Sequence, residues 1–148
     1  MAARSSTELR AIPLVERATH AVGLHLADRT QLEVTQGEAH VLAFLYGRGA
    51  ARVGEIHEEF GHRRSTLTSI LGRLEGRGLL GRAIDPDDRR GVLVTLTPRG
   101  KSLAKRVFEA LKGFESAALA GFTGEEIRTF RAVASALGRH DHRVTALA

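Results

Sequence analysis

A change of hydrophobic period near Gly76 constrains this chain more than any other feature. From about Arg63 to Glu75, Leu67, Ile70, Leu71 and Leu74 recur at the spacing of one face of an α-helix. The opposite face carries Arg64, Ser65, Thr68, Ser69 and Arg73, all short or basic. Beyond Gly76-Arg77-Gly78 the pattern is that of strands. Leu80 to Ile84 and Val92 to Leu96 are β-rich, and Asp85-Pro86-Asp87-Asp88-Arg89-Arg90-Gly91 between them is dense in turn formers. Alternation in the second run puts Val92, Val94 and Leu96 on one face. These residues predict a two-faced helix followed by a two-stranded hairpin with a charged tip.

The flanking sequence is helical. Ile12-Pro13 opens a first helix with Leu14, Val15, Ala18, Ala21, Val22 and Leu26 on a broad apolar stripe, proline being acceptable where no intrahelical donor is needed. Thr35-Gln36-Gly37-Glu38 has the spacing of a capping box. It starts a helix that buries Val41, Leu42 and Leu45 and ends around Gly47 to Gly49. Val53, Ile56 and Phe60 share one face of a two-turn helix that Gly61 can break. Thr97-Pro98 supplies an N-cap and a first-turn proline for a helix carrying Leu103, Val107, Leu111 and Phe114. Thr123-Gly124-Glu125-Glu126 repeats the capping pattern before Ile127, Phe130, Val133 or Ala134, and Leu137. The expected fold is mainly α with a small β-hairpin wing (α+β): a helix-turn-helix plus wing between terminal helices. Gly72, inside the long helix, costs about 1 kcal/mol against Ala, so either close packing or close approach of a ligand is expected there.

Charge is unevenly placed. The 148-residue chain has a formal net charge of +5, and residues 61 to 101 hold nine basic side chains against four acidic ones. The rest of the chain sums to zero. A basic segment on a neutral background is the footprint expected for a polyanion partner. Nineteen Arg against three Lys fits GC-rich coding, which accounts for the residue type and not for the clustering. With no cysteine, disulfides, thiolate metal sites, cysteine nucleophiles and thiol redox sensing are excluded. No apolar run approaches the roughly 18 residues of a membrane span, and the start, Met1 to Glu8, lacks the apolar core of a signal peptide. A cytoplasmic protein with no membrane partner is expected.

Three stretches in unbroken register carry a family likeness: Arg73-Leu74-Glu75-Gly76-Arg77-Gly78-Leu79-Leu80-Gly81-Arg82, then Asp85-Pro86-Asp87-Asp88-Arg89-Arg90-Gly91, then Val92-Leu93-Val94-Thr95-Leu96-Thr97-Pro98-Arg99-Gly100. The sequence resembles the MarR family of winged helix-turn-helix transcription regulators, densely over about residues 35 to 101. The resemblance implies one MarR-type chain over 1–148. Its DNA-binding lobe would occupy about 35–97, and helical dimerisation regions about 8–34 and 98–148. It implies a homodimer on a pseudopalindromic duplex, acting as a repressor, with recognition helices in adjacent major grooves and wings in flanking minor grooves. Candidate DNA-binding residues are Arg63, Arg64, Ser65, Thr66, Thr68, Ser69 and Arg73 on the long helix, with Asp88, Arg89 and Arg90 at the wing tip. Guanidinium groups suit phosphate and guanine, and hydroxyls suit phosphate or base edges. By the resemblance, Asp88 orients Arg90 into the minor groove and Arg89 contacts phosphate. The other reading is that Asp88 with Arg90 only closes the turn.

Two positions depart from the family. Arg52 and Arg63 stand where Ser or Thr often starts the two helices of the helix-turn-helix, and an N-cap hydroxyl contributes about 1 kcal/mol. The family also implies a small aromatic or anionic effector in a pocket lined from the first, second and fifth helices, where His25, His40 and Tyr46 are polar-aromatic candidates. His57 with His62, and His140 with His142, are metal-ligating residue types at close spacing, but neither set completes a tetrahedral site. No catalytic motif stands out, so neither an enzyme nor a resident cofactor is expected. Rival expectations are a metal-responsive repressor of similar fold and a winged helix used only to bind proteins.

Overall fold

The computed structural model describes residues 9–30 and 34–139. The elements run α1 (Ile12–Thr30), α2 (Gln36–Arg48), β1 (Ala50–Arg52), α3 (Val53–Phe60), α4 (Arg64–Gly76), β2 (Leu80–Ile84), β3 (Val92–Leu96), α5 (Pro98–Leu119) and α6 (Gly124–Arg139). His140, His142 and the Met1 to Glu8 segment lie outside the described residues.

Local chemistry sets most helix starts. Thr35 accepts a hydrogen bond from the Glu38 N–H while the Glu38 carboxylate accepts from the Thr35 N–H, a reciprocal capping box on α2. Thr97 caps α5 by accepting from the Gly100 N–H, and Thr123 with Glu126 does the same for α6. At α3 the capping residue is Arg52, which has no side-chain cap, yet Glu55 reaches back to its N–H at 2.8 Å. Arg63 precedes α4 with no side-chain cap at all.

The main core forms where α4 lays its apolar face on α2 and the sheet. Leu67, Ile70, Leu71 and Leu74 are buried with Val41, Leu42, Leu45, Ile56 and Val94, each contributing about 1.5–3 kcal/mol by leaving water. A smaller cluster of Leu26, Ala39 and Val107 ties α1, α2 and α5 together. α6 buries none of its residues.

The expected hairpin of β2 and β3 is present, and β1 extends it. The sheet has three strands in the order β1-β3-β2, all neighbours antiparallel. β1 pairs Ala51 with Val94 on the free edge of β3. Ala-Ala-Arg has no β-rich pattern, so this strand exists because β3 offers it an edge. Val92, Val94 and Leu96 share one face as expected, with Val92 at its exposed end. Val92 pairs with Ile84 near the hairpin tip and is 40% exposed, whereas Val94 and Leu96 are buried as the alternation predicts. The inner face of β3 extends beyond the core that could cover it.

Two glycines have opposite surroundings. A Cβ on Gly100 would fall 1.7 Å from the Leu79 carbonyl oxygen, because the first turn of α5 packs on the α4–β2 connection. At Gly72 a Cβ would meet no atom within 4 Å apart from its chain neighbours and the backbone of its own helix, so packing within the chain does not require glycine there. Gly100→Ala should therefore destabilise the fold by about 1–3 kcal/mol through forced overpacking, whereas Gly72→Ala should stabilise it by about 1 kcal/mol. Urea unfolding of both variants checks the two signs together.

Candidate nucleic-acid interface

α4 is amphipathic because its apolar residues fall on one side, and burial of that side leaves the other in solvent. Arg63, Arg64, Ser65, Thr66, Thr68 and Ser69 are all exposed. They form a continuous polar surface over the N-terminal half of the helix and its cap. The Thr68 hydroxyl donates to the Arg64 carbonyl at 2.8 Å, so its oxygen remains available as an acceptor.

The wing is held by a buried carboxylate. Asp85, at the end of β2, is 4% exposed. It accepts the Asp87 N–H at 2.9 Å and the Arg52 Nε–H from the start of α3 at 2.5 Å. The Asp87 amide and then the Arg52 guanidinium hold its carboxyl below the usual carboxylate range, against the opposing effect of desolvation. The hairpin is thereby pinned to the helix-turn-helix. Asp88 acts differently: its carboxylate accepts the Arg90 N–H at 3.0 Å, which closes the turn and sets the backbone from which Arg90 projects. Asp88 thus meets Arg90 through the main chain. Arg89 and Arg90 are exposed at the tip.

Ion pairing separates the cations of this basic segment. Arg73 pairs with Glu38 at 2.7 Å, Arg77 with the same carboxylate at 3.6 Å, and Arg82 with Glu75 at 2.9 Å. Among the described residues Arg63 and Arg64 at the start of α4, Arg89 and Arg90 at the tip of the wing, and Arg99 and Lys101 in the first turn of α5 form no ion pair and are exposed. Sequence reasoning placed Arg73 with the solvent-facing set; the structure sets its guanidinium against Glu38. It also missed the Arg52–Asp85 pair. Glu38 was legible as a capping residue and Arg52 as an unusual cap, but neither role signals a partner more than thirty residues away.

A second feature lies away from this face. A groove of about 630 Å³ runs between α1 and α6, lined by Leu14, Val15, Val22, Phe130, Val133 and Leu137, with Gln36 and His40 of α2 at its edge. A separate hollow lies between α1 and α5, lined by His25 and Arg29 with Glu109, Ala110 and Phe114. Burial, and then the neighbouring His62, lower the His40 pKa, favouring its neutral form. His25 lies apart, its ring 4.9 Å from Phe114 and its Nε2 3.2 Å from the Ala110 carbonyl oxygen, and Tyr46 packs on Phe108. Among the described residues no group of three or more His, Asp or Glu is placed to hold a metal ion, and no helix is long and apolar enough to cross a membrane.

The anchor at Asp85 makes the wing acid-sensitive. Because the folded pKa is depressed, its contribution to stability is complete above the ordinary carboxylate pKa of about 3.9 and is lost as pH falls through the lowered folded value. Protection of the Gly91 and Asp87 amides from hydrogen exchange should therefore drop only in acid below about pH 4. Asp85→Asn should remove that step and leave protection low at neutral pH as well.

Comparison with known proteins places this arrangement. The model of the MarR family matches residues 34–92. The chain is 34% identical over 114 residues to the HTH-type transcriptional regulator PecS of Dickeya dadantii, covering 75% of this chain and 69% of that one. It is 33% identical over 79 residues to the HTH-type transcriptional regulator YfiV of Bacillus subtilis, of whose length it spans about half (49%). Among solved structures it is similar to the PcaV transcriptional regulator of Streptomyces coelicolor in complex with its natural ligand, with a TM-score of 0.70, 28% identity, and coverage of 93% of this chain and 99% of that one.

Proposed function

The chain belongs to the MarR family, and from that premise we propose that it is a sequence-specific regulator that binds double-stranded DNA as a homodimer and represses transcription from a pseudopalindromic operator. The observation that carries this reading is the sorting of charge on a rigid winged helix. Buried carboxylates neutralise the cations that hold the lobe together, while Arg63, Arg64, Arg89 and Arg90 stay exposed together with the hydroxyls of Ser65, Thr66, Thr68 and Ser69. A helix carrying short polar side chains at its start can enter a major groove, and a hairpin with arginine at its tip can reach the adjacent minor groove. Arg63 sits at the positive end of its own helix dipole, which is unfavourable until a phosphate is bound there.

Dimerisation is supported by the apolar surface outside the lobe. Leu14, Val15, Phe130, Val133 and Leu137 are each at least 40% exposed along α1 and α6, a patch of the kind that marks a protein contact. The same region supports an effector site. The groove has an apolar lining with polar groups at one edge, as small-molecule sites do, and a small aromatic or anionic compound is the proposed ligand. Its binding would release DNA by favouring a different spacing of the two recognition helices.

Selection from a random duplex pool at about 150 mM salt tests the reading. An inverted repeat with half-sites about 10 bp apart is expected, and absence of any enriched sequence overturns it. On the enriched duplex, Arg90→Ala should cost about 1–3 kcal/mol of binding, most on A/T-rich flanks. Equal affinity on every flank would remove the wing from recognition. Phe130→Asp should convert the dimer to monomer in light scattering and weaken operator binding with it.

A further inference from the structure

Glu38 is more deeply buried and more heavily bonded than a helix cap requires. A capping box needs one carboxylate oxygen, commonly near solvent; Glu38 is 3% exposed. One oxygen accepts the Thr35 N–H at 3.1 Å and lies 3.6 Å from Arg77 Nη1, while the other accepts the Arg73 Nε–H at 2.7 Å. Taking a carboxylate out of water is costly unless it is paired and hydrogen-bonded, and Arg73 on α4 with Arg77 at its C-cap meet that need. Beside this contact α2 and α4 approach closely: a Cβ on Gly37 would lie 3.0 Å from Ile70 Cδ1. The first turn of α2 therefore grips α4 at two points. Leucine contacts tolerate some rotation of a helix about its axis, whereas a directed ion pair does not.

We propose that Glu38 is a positioning residue for DNA recognition: through Arg73 and Arg77 it fixes the rotation of α4, and so decides which of Arg64, Ser65, Thr68 and Ser69 face the bases. Arg73 then belongs to this clamp and contributes orientation in place of a phosphate contact. The inference rests on the DNA-binding reading above and assigns a role within it.

The test uses the duplex enriched from the random pool and a scrambled duplex of equal length, each fluorescein-labelled and titrated with full-length protein between about 50 and 200 mM salt. Glu38→Gln keeps the acceptor for Thr35 and removes the charge. Arg73→Gln alters a half-exposed side chain, so it reports even if the buried variant fails to fold. Each should lower affinity for the enriched duplex about tenfold, with scrambled-duplex binding and both salt slopes unchanged. The double variant should bind like Glu38→Gln alone, the two residues acting as one unit. A general structural role would instead weaken both duplexes equally, and overturns the proposal. So does a fall of about one in the salt slope for Arg73→Gln with Glu38→Gln unaffected, which would make Arg73 a phosphate contact. If the unmodified protein enriches no duplex, the DNA-binding reading itself falls; if it does and both variants match it, only the clamp falls.

Discussion

The two-sided demand on α4 organises the lobe. One face must bury Leu67, Ile70, Leu71 and Leu74 against α2 and the sheet, and that burial holds the opposite face outward with its arginines and hydroxyls. The elements around it serve this placement. α3 adds Ile56 beneath it, and the strands close the core with Val94. The connection out of α4 is secured at Leu79, whose N–H donates to the Leu74 carbonyl and whose carbonyl accepts the Thr97 N–H. Gly100 allows α5 to start directly against that connection.

Electrostatics completes what packing begins. Two carboxylates, Glu38 and Asp85, are buried, and each is bound to arginine from a different element. Breaking a buried pair by removing one partner is strongly destabilising, because it leaves a charge in a poor solvent. Exposed pairs such as Lys105–Glu109 contribute about 0–1 kcal/mol. The buried pairs join α2 to α4 and the wing to α3, so the relative orientation of the recognition helix and wing is set by directional bonds as well as by area. Among the arginines left unpaired and exposed are Arg63 and Arg64 at the helix start and Arg89 and Arg90 at the wing tip.

Outside the lobe the balance differs. The cluster of Leu26, Ala39 and Val107 is small, and the apolar residues of α1 and α6 are largely on the surface. A helix such as α6 with no buried residue gains little from its own chain, since helical stability comes mainly from packing an amphipathic face. The groove between α1 and α6 thus belongs to a region whose stability and shape depend on what covers it, next to His40 on the same first turns of α2 that grip α4.

Much of this was legible residue by residue. The 3.6-residue spacing in α4, the Thr35–Glu38 and Thr123–Glu126 boxes, Thr97-Pro98 and the alternation of Val94 and Leu96 are short-range signals, and they determined the element order, the helix starts and the location of the winged lobe. Three features depended on contacts distant in sequence. β1 forms on the edge of a strand more than forty residues away, Glu38 finds Arg73, and Arg52 finds Asp85. In sequence Ala50-Ala51-Arg52 carries no strand pattern, Arg73 reads like any other outward arginine, and Asp85 reads like any turn aspartate. By itself the sequence determined which faces are apolar and which basic, because periodicity is a local property of the backbone. Only the tertiary structure decided which charges are consumed internally and which remain for a partner, because that depends on what the fold brings within hydrogen-bonding distance.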